Sequence, residues 1–415
     1  MNAQHMILLG TALLAAPACV SGEGDLDVED DVDATIDGKA DGISAQAGAI
    51  LSLVNDPGIS REQLDDDARL SNRVATDIIA LRDAELIDDL AELDAIPYVG
   101  PRTLEKLAAY AVEVIPPATT ARTFPVAITA DTTWSPSMGP LSLQSFQVPA
   151  GVTLTITPGT TVYVKNGPLF VGGKLVVQGV RAAPVALVGD GPELTAWSGI
   201  DVLAGGTLTL DHAVITDASS GVSTRSGAAE TRLTNLTIER FGFQGIAAGP
   251  NTTIDVDGFV ATHSGALGDA VRVAAGADVT VRNAVVSIAH SPFDNSGTLL
   301  VEGATFVNNR FTYGFGWNSS PQTTVRNAIF AGGLVGELAG TLELERVLLW
   351  NTENEQHLPA GADVLHGDPA FVSATDSHLT PRSPAIDAGS GGAGHDLAGN
   401  PRVGAPDLGA YELVR

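Results

Sequence analysis

The sequence is poor in cysteine, in aromatic residues and in basic residues, and each shortage excludes a class of protein. A single cysteine among 415 residues excludes an internal disulfide framework and any zinc cluster built from cysteines. Aromatic residues make up 5% of the chain while 46 glycines occur, which favours short strands and tight turns over a large helical enzyme. The formal charge of −27 opposes binding to nucleic acid, anionic membranes and polyanionic glycans, unless a basic patch or a bound cation intervenes.

An apolar leader opens the chain and ends at this cysteine, MILLGTALLAAPAC. The leader is too short to span a bilayer, so residues 1–18 are predicted to be a signal peptide cleaved after Ala18. The segment resembles a bacterial lipoprotein signal, although Ala16 stands where that signal has Leu and no Lys or Arg precedes the apolar run. The resemblance implies lipidation of Cys19 and a membrane anchor at the bacterial cell envelope or surface. Plain secretion and a structural cysteine are the alternatives.

A dense run of carboxylates follows the leader, without any aromatic residue, GEGDLDVEDDVDATIDGKADG. This composition is typical of a solvated, self-repelling segment, so residues 19–43 are predicted to be a disordered acidic linker. A calcium-binding loop is the alternative interpretation of its alternating acidic residues. Asp30 and Ile36 oppose that alternative, because they stand where such a loop needs Gly and a bidentate Glu.

Residues 44–115 have a helical pattern, with apolar residues recurring at intervals of three and four. Their segment LAELDAIPYVGPRTLEKLAAYA resembles a helix-hairpin-helix motif, in which Pro97 and Gly100 form the hairpin and Pro101 starts the second helix. In that family the hairpin grips a DNA phosphate, but Tyr98 replaces the first hairpin glycine here. Because the region is acidic, nucleic acid binding is disfavoured, and a spacer or protein-contact module is predicted.

From Phe124 onwards apolar and polar residues alternate as in β-strands, and a short pattern recurs about every 19–25 residues. Each copy contains a small or polar pivot residue: His212, Asn235, Gly258, Asn283, Gly303, Asn327 and Arg346. A repeat of this length is typical of a solenoid whose coils stack their apolar residues into one core. Gly and Asn at the pivots suit bends with left-handed backbone angles. The amides of Asn235, Asn283 and Asn327 are predicted to stack into an internal structural ladder.

The ends of this region carry a more specific resemblance. The phrases GVTLTITPGTTVYV, LFVGGKLVVQG and WSGIDV resemble the opening coils of right-handed parallel β-helix surface proteins. The phrases GDPAFV, HLTPRSPAIDAG, DLAGNPR and PDLGAYE are similar to the end of bacterial surface proteins of the choice-of-anchor Q type, which share the pectate-lyase-like β-helix. The resemblance implies a mainly β fold, with a right-handed single-stranded parallel β-helix over residues 124–372 behind the small helical domain.

Residues 373–415 are expected to cap the last coil, because an open strand edge invites aggregation. In this cap Tyr411 is expected to bury its ring near the final coil. Four charged residues are expected to bind turn amides or one another: Asp387, Asp396, Arg402 and Asp407.

Enzymes with the β-helix fold include pectate lyases and polygalacturonases, and their motifs are missing from this sequence. It has no Asn-Thr-Asp followed by Asp-Asp, no Gly-His-Gly, no Arg-Ile-Lys and no Trp-x-Asp-His. The best remaining catalytic candidates lie on neighbouring coils: Asp255, Asp257, His263 and Asp269, with Arg272, His290 and Asp294 nearby. A lyase or hydrolase would use such groups as acid and base, with Ca²⁺ as the cofactor in that case and no cofactor otherwise. The exposed polar residues of an ordinary solenoid surface are the alternative.

An alternating aromatic stretch, NNRFTYGFGW, is the candidate for ligand binding. Its rings would form a platform for the apolar faces of sugars or for a protein partner: Phe311, Tyr313, Phe315 and Trp317. Covering of a coil edge or of the interior is the alternative role for these rings.

The sequence therefore predicts an exported, lipid-anchored bacterial surface protein. Its β-helix is predicted to act without catalysis, in adhesion or in contact with a polysaccharide or a surface protein. The first alternative is a calcium-assisted polysaccharide lyase or glycoside hydrolase, and the second is extracellular DNA binding through the helical region. The ligand, the oligomeric state and the membrane face that carries the anchor stay open.

Overall fold

The computed structural model describes residues 45–115, 122–123, 127–191, 193–312, 321–335 and 340–414. The described residues form four α-helices followed by 22 β-strands. The helices are α1 Ala45–Val54, α2 Asn72–Ala84, α3 Leu90–Asp94 and α4 Pro101–Val114, with a π-helical turn at Gln63–Asp67. None of the helices in these ranges is both long and apolar enough to cross a membrane.

The first ten strands are short: β1 Arg122–Thr123, β2 Thr132–Trp134, β3 Leu141–Leu143, β4 Phe146–Val148, β5 Thr153–Ile156, β6 Thr161–Val164, β7 Leu169–Val171, β8 Lys174–Gln178, β9 Val185–Gly189 and β10 Ile200–Val202. Longer strands then alternate with strands of five residues: β11 Thr207–Thr216, β12 Ser220–Thr224, β13 Thr231–Phe241, β14 Gln244–Ala248, β15 Thr253–Ser264, β16 Asp269–Val273, β17 Asp278–Ser287 and β18 Ser291–Asn295. The last strands are β19 Thr298–Val307, β20 Gln322–Ala331, β21 Thr341–Trp350 and β22 Val364–His366. Short 3₁₀ turns lie at Pro136–Met138 and Glu355–His357.

These strands stack into a parallel solenoid with three faces and about nine turns. The first face holds β2, β5, β8 and the first halves of the long strands from β11 to β21. The second face holds β1, β3, β6, β9, the second halves of those strands and β22. The third face holds β4, β7, β10, β12, β14, β16 and β18. The predicted mainly β, parallel solenoid is confirmed, whereas its right-handed sense, which the crossover rule favours, stays a prediction.

The corner between the first and second faces lies at the pivots predicted from the sequence. All of them have left-handed backbone angles, with φ from 42° at His212 to 80° at Gly258. A second column of left-handed residues, which the sequence pattern did not reveal, forms the corner between the second and third faces: Asp217, Arg240, His263, Ile288, Asn308, Gly332 and Asn351. Each non-glycine residue there costs roughly 1–2 kcal/mol of backbone strain, which the stacked coils must offset.

One apolar core runs along the inside of the solenoid, from Trp134 in an early coil to Leu349 in β21. It forms because inward positions alternate with outward ones and stack in register from coil to coil. Leu358, Ala362 and Val364 pack against the interior after the last long strand. These residues extend the core beyond β21.

The helical region packs on the side of the solenoid rather than standing apart from it. Its core includes Val180 and Ala183 of the loop between β8 and β9. The Asp56 carboxylate accepts a hydrogen bond from the Ser137 amide at 2.8 Å, which fixes the end of α1 to the first coils. In the hairpin between α3 and α4, Tyr98 is 74% exposed and has a φ of 73°, an angle that glycine adopts more readily. Assignment to the helix-hairpin-helix family stays a prediction.

Residues 373–415 are not confined to the last coil, although Leu365 of its strand β22 packs with them, and their capping role stays a prediction. The chain runs back along the corner between the first and second faces. The Gly409 amide donates to the Asn327 carbonyl and the Ala410 amide donates to Thr305 Oγ1, both at 2.9 Å. Arg181 donates to the carbonyl of Ala398, far from the C-terminal coil. This side position buries outward apolar residues of β20 and β21 against the tail: Ile329, Ala331 and Leu348 against Leu379, Ala385 and Leu408.

Two of the four charged residues named in the tail, Asp396 and Asp407, accept hydrogen bonds from backbone amides, as predicted. Asp396 accepts from the amides of Asn400 and Glu412, and Asp407 accepts from the amides of Asp387 and Leu413. The Tyr411 ring stacks on His378 with the ring centroids 3.8 Å apart. Burial raises the pKa of Tyr411 to about 12, and the nearby carboxylates of Asp376 and Asp396 add to the shift.

Candidate functional site

Three ring side chains lie in one column at the start of the third face. Backbone hydrogen bonds fix the column: the Phe243 amide donates to Ser219, His290 donates to Gly268, and Phe311 donates to His290. Phe243 is 53% exposed. The rings of His290 and Phe311 meet edge to face with centroids 5.1 Å apart. Gly268 interrupts the column between Phe243 and His290, and a Cβ there would lie 2.6 Å from the Cβ of Ser264.

Carboxylates and a guanidinium group stand beside these rings on β16 and β18. Asp269 pairs in register with Gln244 and Ser291, and Arg272 pairs with Ala247 and Asp294. Nδ1 of His290 lies 3.6 Å from Oδ1 of Asp269, and Nε of Arg272 lies 3.7 Å from Oδ2 of Asp294. The side chains of Asp269 and Asp294 are each 16% exposed, whereas that of Arg272 is 57% exposed.

Burial shifts each pKa in this group in the direction that favours the neutral form of the side chain. It raises the pKa of Asp269 to about 7, helped by the nearby Asp294 carboxylate and opposed by Arg272. Burial also raises the pKa of Asp294, against the opposing effect of Arg272. The pKa of His290 is lowered by burial and by the charge of Arg310. A carboxyl group that titrates near pH 7 beside a neutral imidazole is suited to proton transfer or to accepting a ligand hydrogen bond.

Two buried polar atoms of the cluster lack a hydrogen-bond partner among the described residues: Nδ1 of His290, which accepts when the ring proton is on Nε2, and Oδ1 of Asp294. The His290–Asp269 and Arg272–Asp294 contacts are both longer than hydrogen bonds, so they leave these atoms unsatisfied. Buried polar atoms nearly always have partners in folded proteins. The third face therefore carries acceptors that a donor from outside the chain would satisfy.

The structure separates the catalytic candidates named from the sequence. Asp255 lies on the first face, where its carboxylate accepts a hydrogen bond from Nη1 of Arg282 at 2.7 Å. Asp257 lies beneath the tail and accepts from Nδ2 of Asn283 at 2.8 Å. His263 is a corner residue with a φ of 58°, and its ring bonds the neighbouring Thr262 hydroxyl at 2.8 Å. The grouping of these residues with Asp269 is therefore corrected, and Asp269 joins Arg272, His290 and Asp294 instead.

The three pivot asparagines do not form the predicted continuous ladder. Gly258 and Gly303 stand between them, so the amides alternate with residues that have no side chain. Asn235 instead donates to Oδ1 of Asp211 at 3.1 Å, as Asn283 does to Asp257. Asn327 exchanges two hydrogen bonds with the backbone of Ser390 in the tail. The amides are structural, but they bind the preceding coil and the tail.

Several predicted sites lie outside the described residues. They are Cys19 of the lipoprotein signal and Tyr313, Phe315 and Trp317 of the aromatic stretch. Phe311 is described, and the guanidinium carbon of Arg310 lies 5.4 Å from the centroid of its ring. Phe243 was missed from the sequence, because it belongs to the ring column only through the stacking of coils.

The described residues carry other features with less chemistry. A shallow groove of about 390 Å³ lies at the corner between the third and first faces, where glycine turns and Lys174 line it. An apolar void of about 10 Å³ lies in the core beneath β16 and β18. The described part of the chain contains no group of three or more His, Cys, Asp or Glu side chains that could hold a metal ion. The Ca²⁺ of the catalytic alternative stays an expectation from the sequence.

Comparisons with known proteins add little to this geometry. No protein-family model matches the chain, and no curated protein matches it. Among solved structures, the crystal structure of pectate lyase Pel9A is similar over 64% of this chain and 89% of that chain, with 13% identity and a TM-score of 0.32. At this identity and score the likeness carries no argument about activity. The resemblance to choice-of-anchor Q proteins stays a prediction.

Proposed function

We propose that this protein is an exported, lipid-anchored surface protein whose third face binds carbohydrate without cleaving it. The proposal depends on one observation, the column of Phe243, His290 and Phe311 beside the polar side chains of β16 and β18. An exposed ring offers a stacking surface for the apolar face of a sugar. Carboxylates and a guanidinium group next to the rings offer hydrogen bonds to its hydroxyl groups.

The repeating coil also favours an extended ligand. Successive coils lie about 4.8 Å apart, so equivalent side chains recur along the third face at a regular spacing. Asp201 and Arg225 form an ion pair on the same face, three and two coils before Arg272 respectively. A polysaccharide chain lying along the solenoid would therefore meet polar groups over several coils.

Cleavage of the bound polysaccharide is the second candidate function. The raised pKa of Asp269, about 7, is the specific observation that favours it. A carboxyl group that titrates near the working pH is suited to general acid or base catalysis. His290, 3.6 Å away, would serve as its partner in proton transfer.

Glycan-array binding by the secreted form of the chain tests the primary proposal. We expect signal from the wild type and from Asp255→Ala, and loss of signal from Phe243→Ala and Phe311→Ala. Asp255 is a matched control, because it is a half-exposed carboxylate on another face of the same coils. Binding that survives both ring substitutions would remove the third face from the proposal.

Release of reducing ends and absorbance at 235 nm separate binding from cleavage. Pectin, alginate and polygalacturonate would be incubated with the protein, with and without Ca²⁺. Turnover that disappears in Asp269→Asn but persists in Asp255→Asn would replace the binding function by catalysis.

Palmitate labelling of wild type but not of Cys19→Ser is the expected result for the anchor.

A further inference from the structure

We infer that the carbohydrate bound on the third face carries a free ammonium group, and that an amino sugar occupies the space between Phe243 and His290. This inference rests on the proposed carbohydrate-binding function and specifies its ligand. It follows from which hydrogen-bonding atoms are buried without partners, from the local charges and from the spacing of the rings.

The first argument is hydrogen bonding. The unpartnered buried atoms of the cluster, Nδ1 of His290 and Oδ1 of Asp294, are both able to accept a hydrogen bond. The amide of Gln244, beside Asp269, already accepts through Oε1 from the Ser220 hydroxyl at 2.9 Å. A ligand that fits this surface must therefore bring donors. An ammonium group brings three donors and no acceptor, whereas a ligand carboxylate brings acceptors only.

The second argument is charge. Asp269 and Asp294 share one close cation, Arg272, which lies 3.7 Å from Asp294. Asp269 has His290 as its neighbour at 3.6 Å, and the pKa of that imidazole is lowered by burial. The charged form of Asp269 therefore has to share Arg272 with the charged Asp294, which agrees with its raised pKa. An ammonium group would supply the missing positive charge, whereas a uronate would add a third negative charge.

The third argument is spacing. Phe243 and His290 occupy the same column two coils apart, and at about 4.8 Å a coil their separation is about 9.6 Å. Gly268 holds the coil between them without a side chain, and Asp269 follows it directly. Leu267, 68% exposed, borders the same gap. One sugar ring placed there would have a ring side chain on either side and its substituents next to Asp269.

The test compares four soluble probes by isothermal titration calorimetry with the secreted chain, at ~150 mM NaCl to screen long-range charge. The probes are a glucosamine tetramer, its fully N-acetylated form, a galacturonate tetramer and tetralysine. We expect the glucosamine tetramer to bind about tenfold tighter than the acetylated form, because acetylation removes a charge-assisted hydrogen bond. Asp294→Asn and Asp269→Asn should abolish that difference.

Asp255→Asn is the matched control, since it removes one negative charge from a half-exposed carboxylate on the first face. It should leave the tenfold difference unchanged. Phe243→Ala supplies a second variant, at an exposed position, in case the aspartate variants fail to fold; it should weaken all sugar binding.

Each remaining outcome has a defined meaning. Equal affinity for the acetylated tetramer, or tighter binding of galacturonate, would overturn the amino-sugar inference and leave carbohydrate binding intact. Equal binding of tetralysine would also overturn the inference, because the site would then recognise positive charge rather than a sugar. Failure to bind any sugar in the calorimeter and on the array would overturn both the inference and the proposed function.

Discussion

The corner beneath the tail and the third face use the same kinds of side chain in opposite ways. Beneath the tail, Asp257, Asn283 and Arg402 bind one another or the backbone, and Arg402 makes hydrogen bonds to Asn283 and to the Gly409 carbonyl. On the third face, Asp294 and His290 each keep a buried atom without a partner among the described residues. These three polar groups beneath the tail are thus engaged by the fold, whereas the two atoms on the third face are available to a ligand.

The same contrast holds for apolar residues. Outward Ile329 and Leu348 are fully buried because the tail lies on them. Outward Phe243 and Leu267, on the opposite side of the second corner, are more than half exposed. Among the described residues, the chain therefore covers one long side of the solenoid and leaves the other exposed. Substitutions beneath the tail should therefore change stability, and substitutions on the third face should change binding.

The largest expected effect comes from two phenylalanines that are two residues apart. Phe241 is fully buried in the core, and Phe241→Ala should cost about 3–5 kcal/mol of unfolding free energy. Phe243→Ala should change it by less than about 0.5 kcal/mol while abolishing glycan binding. Urea unfolding followed by circular dichroism measures both. A large loss of stability in Phe243→Ala would mean that this ring belongs to the fold.

The next effect is a pH dependence caused by Asp269. Its folded pKa of about 7 lies above its ordinary value of 3.8, so the folded chain holds the extra proton between these pH values. Stability from this group therefore falls as the pH rises through that window, by up to roughly 4 kcal/mol. Solvent at the partly exposed side chain reduces the figure.

Asp269→Asn should remove this fall and be the more stable protein at pH 8. Urea midpoints at pH 5 and pH 8 measure the effect, and Asp255→Asn is the control with a half-exposed carboxylate. Parallel pH dependence in wild type and Asp269→Asn would contradict burial of an uncompensated carboxyl group on the third face.

Two glycines of the tail test how tightly it packs. Both have left-handed angles, but a Cβ at Gly409 would lie 2.6 Å from Oγ1 of Thr305, whereas one at Gly391 would have no neighbour within 4 Å. Gly391→Ala should therefore cost about 1 kcal/mol of backbone strain. Gly409→Ala should cost about 3 kcal/mol, because a steric clash adds to the strain. Equal losses in thermal unfolding would show that the tail is loosely held.

The sequence predicts the solenoid well because the repeat is a local signal. The pivots have left-handed backbone angles even where the residue is His212 or Arg346. The stacked coils fix φ at this corner, whatever side chain is present. The second corner was missed because its residues share no chemistry: Asp217 and the β-branched Ile288 occupy equivalent places. Such a column is visible only when the coils are stacked.

The candidate site was predicted in part, for the same reason. Asp269, Arg272, His290 and Asp294 were named together from the sequence, whereas Asp255 and Asp257 face elsewhere because each coil turns through three faces within about 25 residues. Phe243 joins the site through the stacking of its coil on neighbouring coils, by a backbone hydrogen bond such as that to Ser219. Because the loops between strands differ in length, the sequence does not show which residues are stacked. The path of the tail depends on docking to Ile329 and Leu348, more than forty residues before Tyr411.

The smallest of these effects concerns the pivot amides. Asn283 is fully buried and donates to Asp257, while its oxygen accepts from Arg402 at 3.4 Å. Asn283→Ala should cost about 2 kcal/mol, because it leaves a carboxylate and a guanidinium without that partner beneath the tail. Asn235, half-buried and bonded to Asp211, is the matched control.

Asn235→Ala should cost less, about 0.5–1 kcal/mol, because water replaces its lost hydrogen bond. The comparison isolates the tail, since both residues occupy equivalent pivots with φ near 50°. Thermal unfolding of both variants, with and without Arg402→Ala, measures the coupling. If Asn283→Ala costs no more than Asn235→Ala, the amide network beneath the tail does not hold the tail in place. That result would contradict the claim that polar residues beneath the tail stabilise the fold.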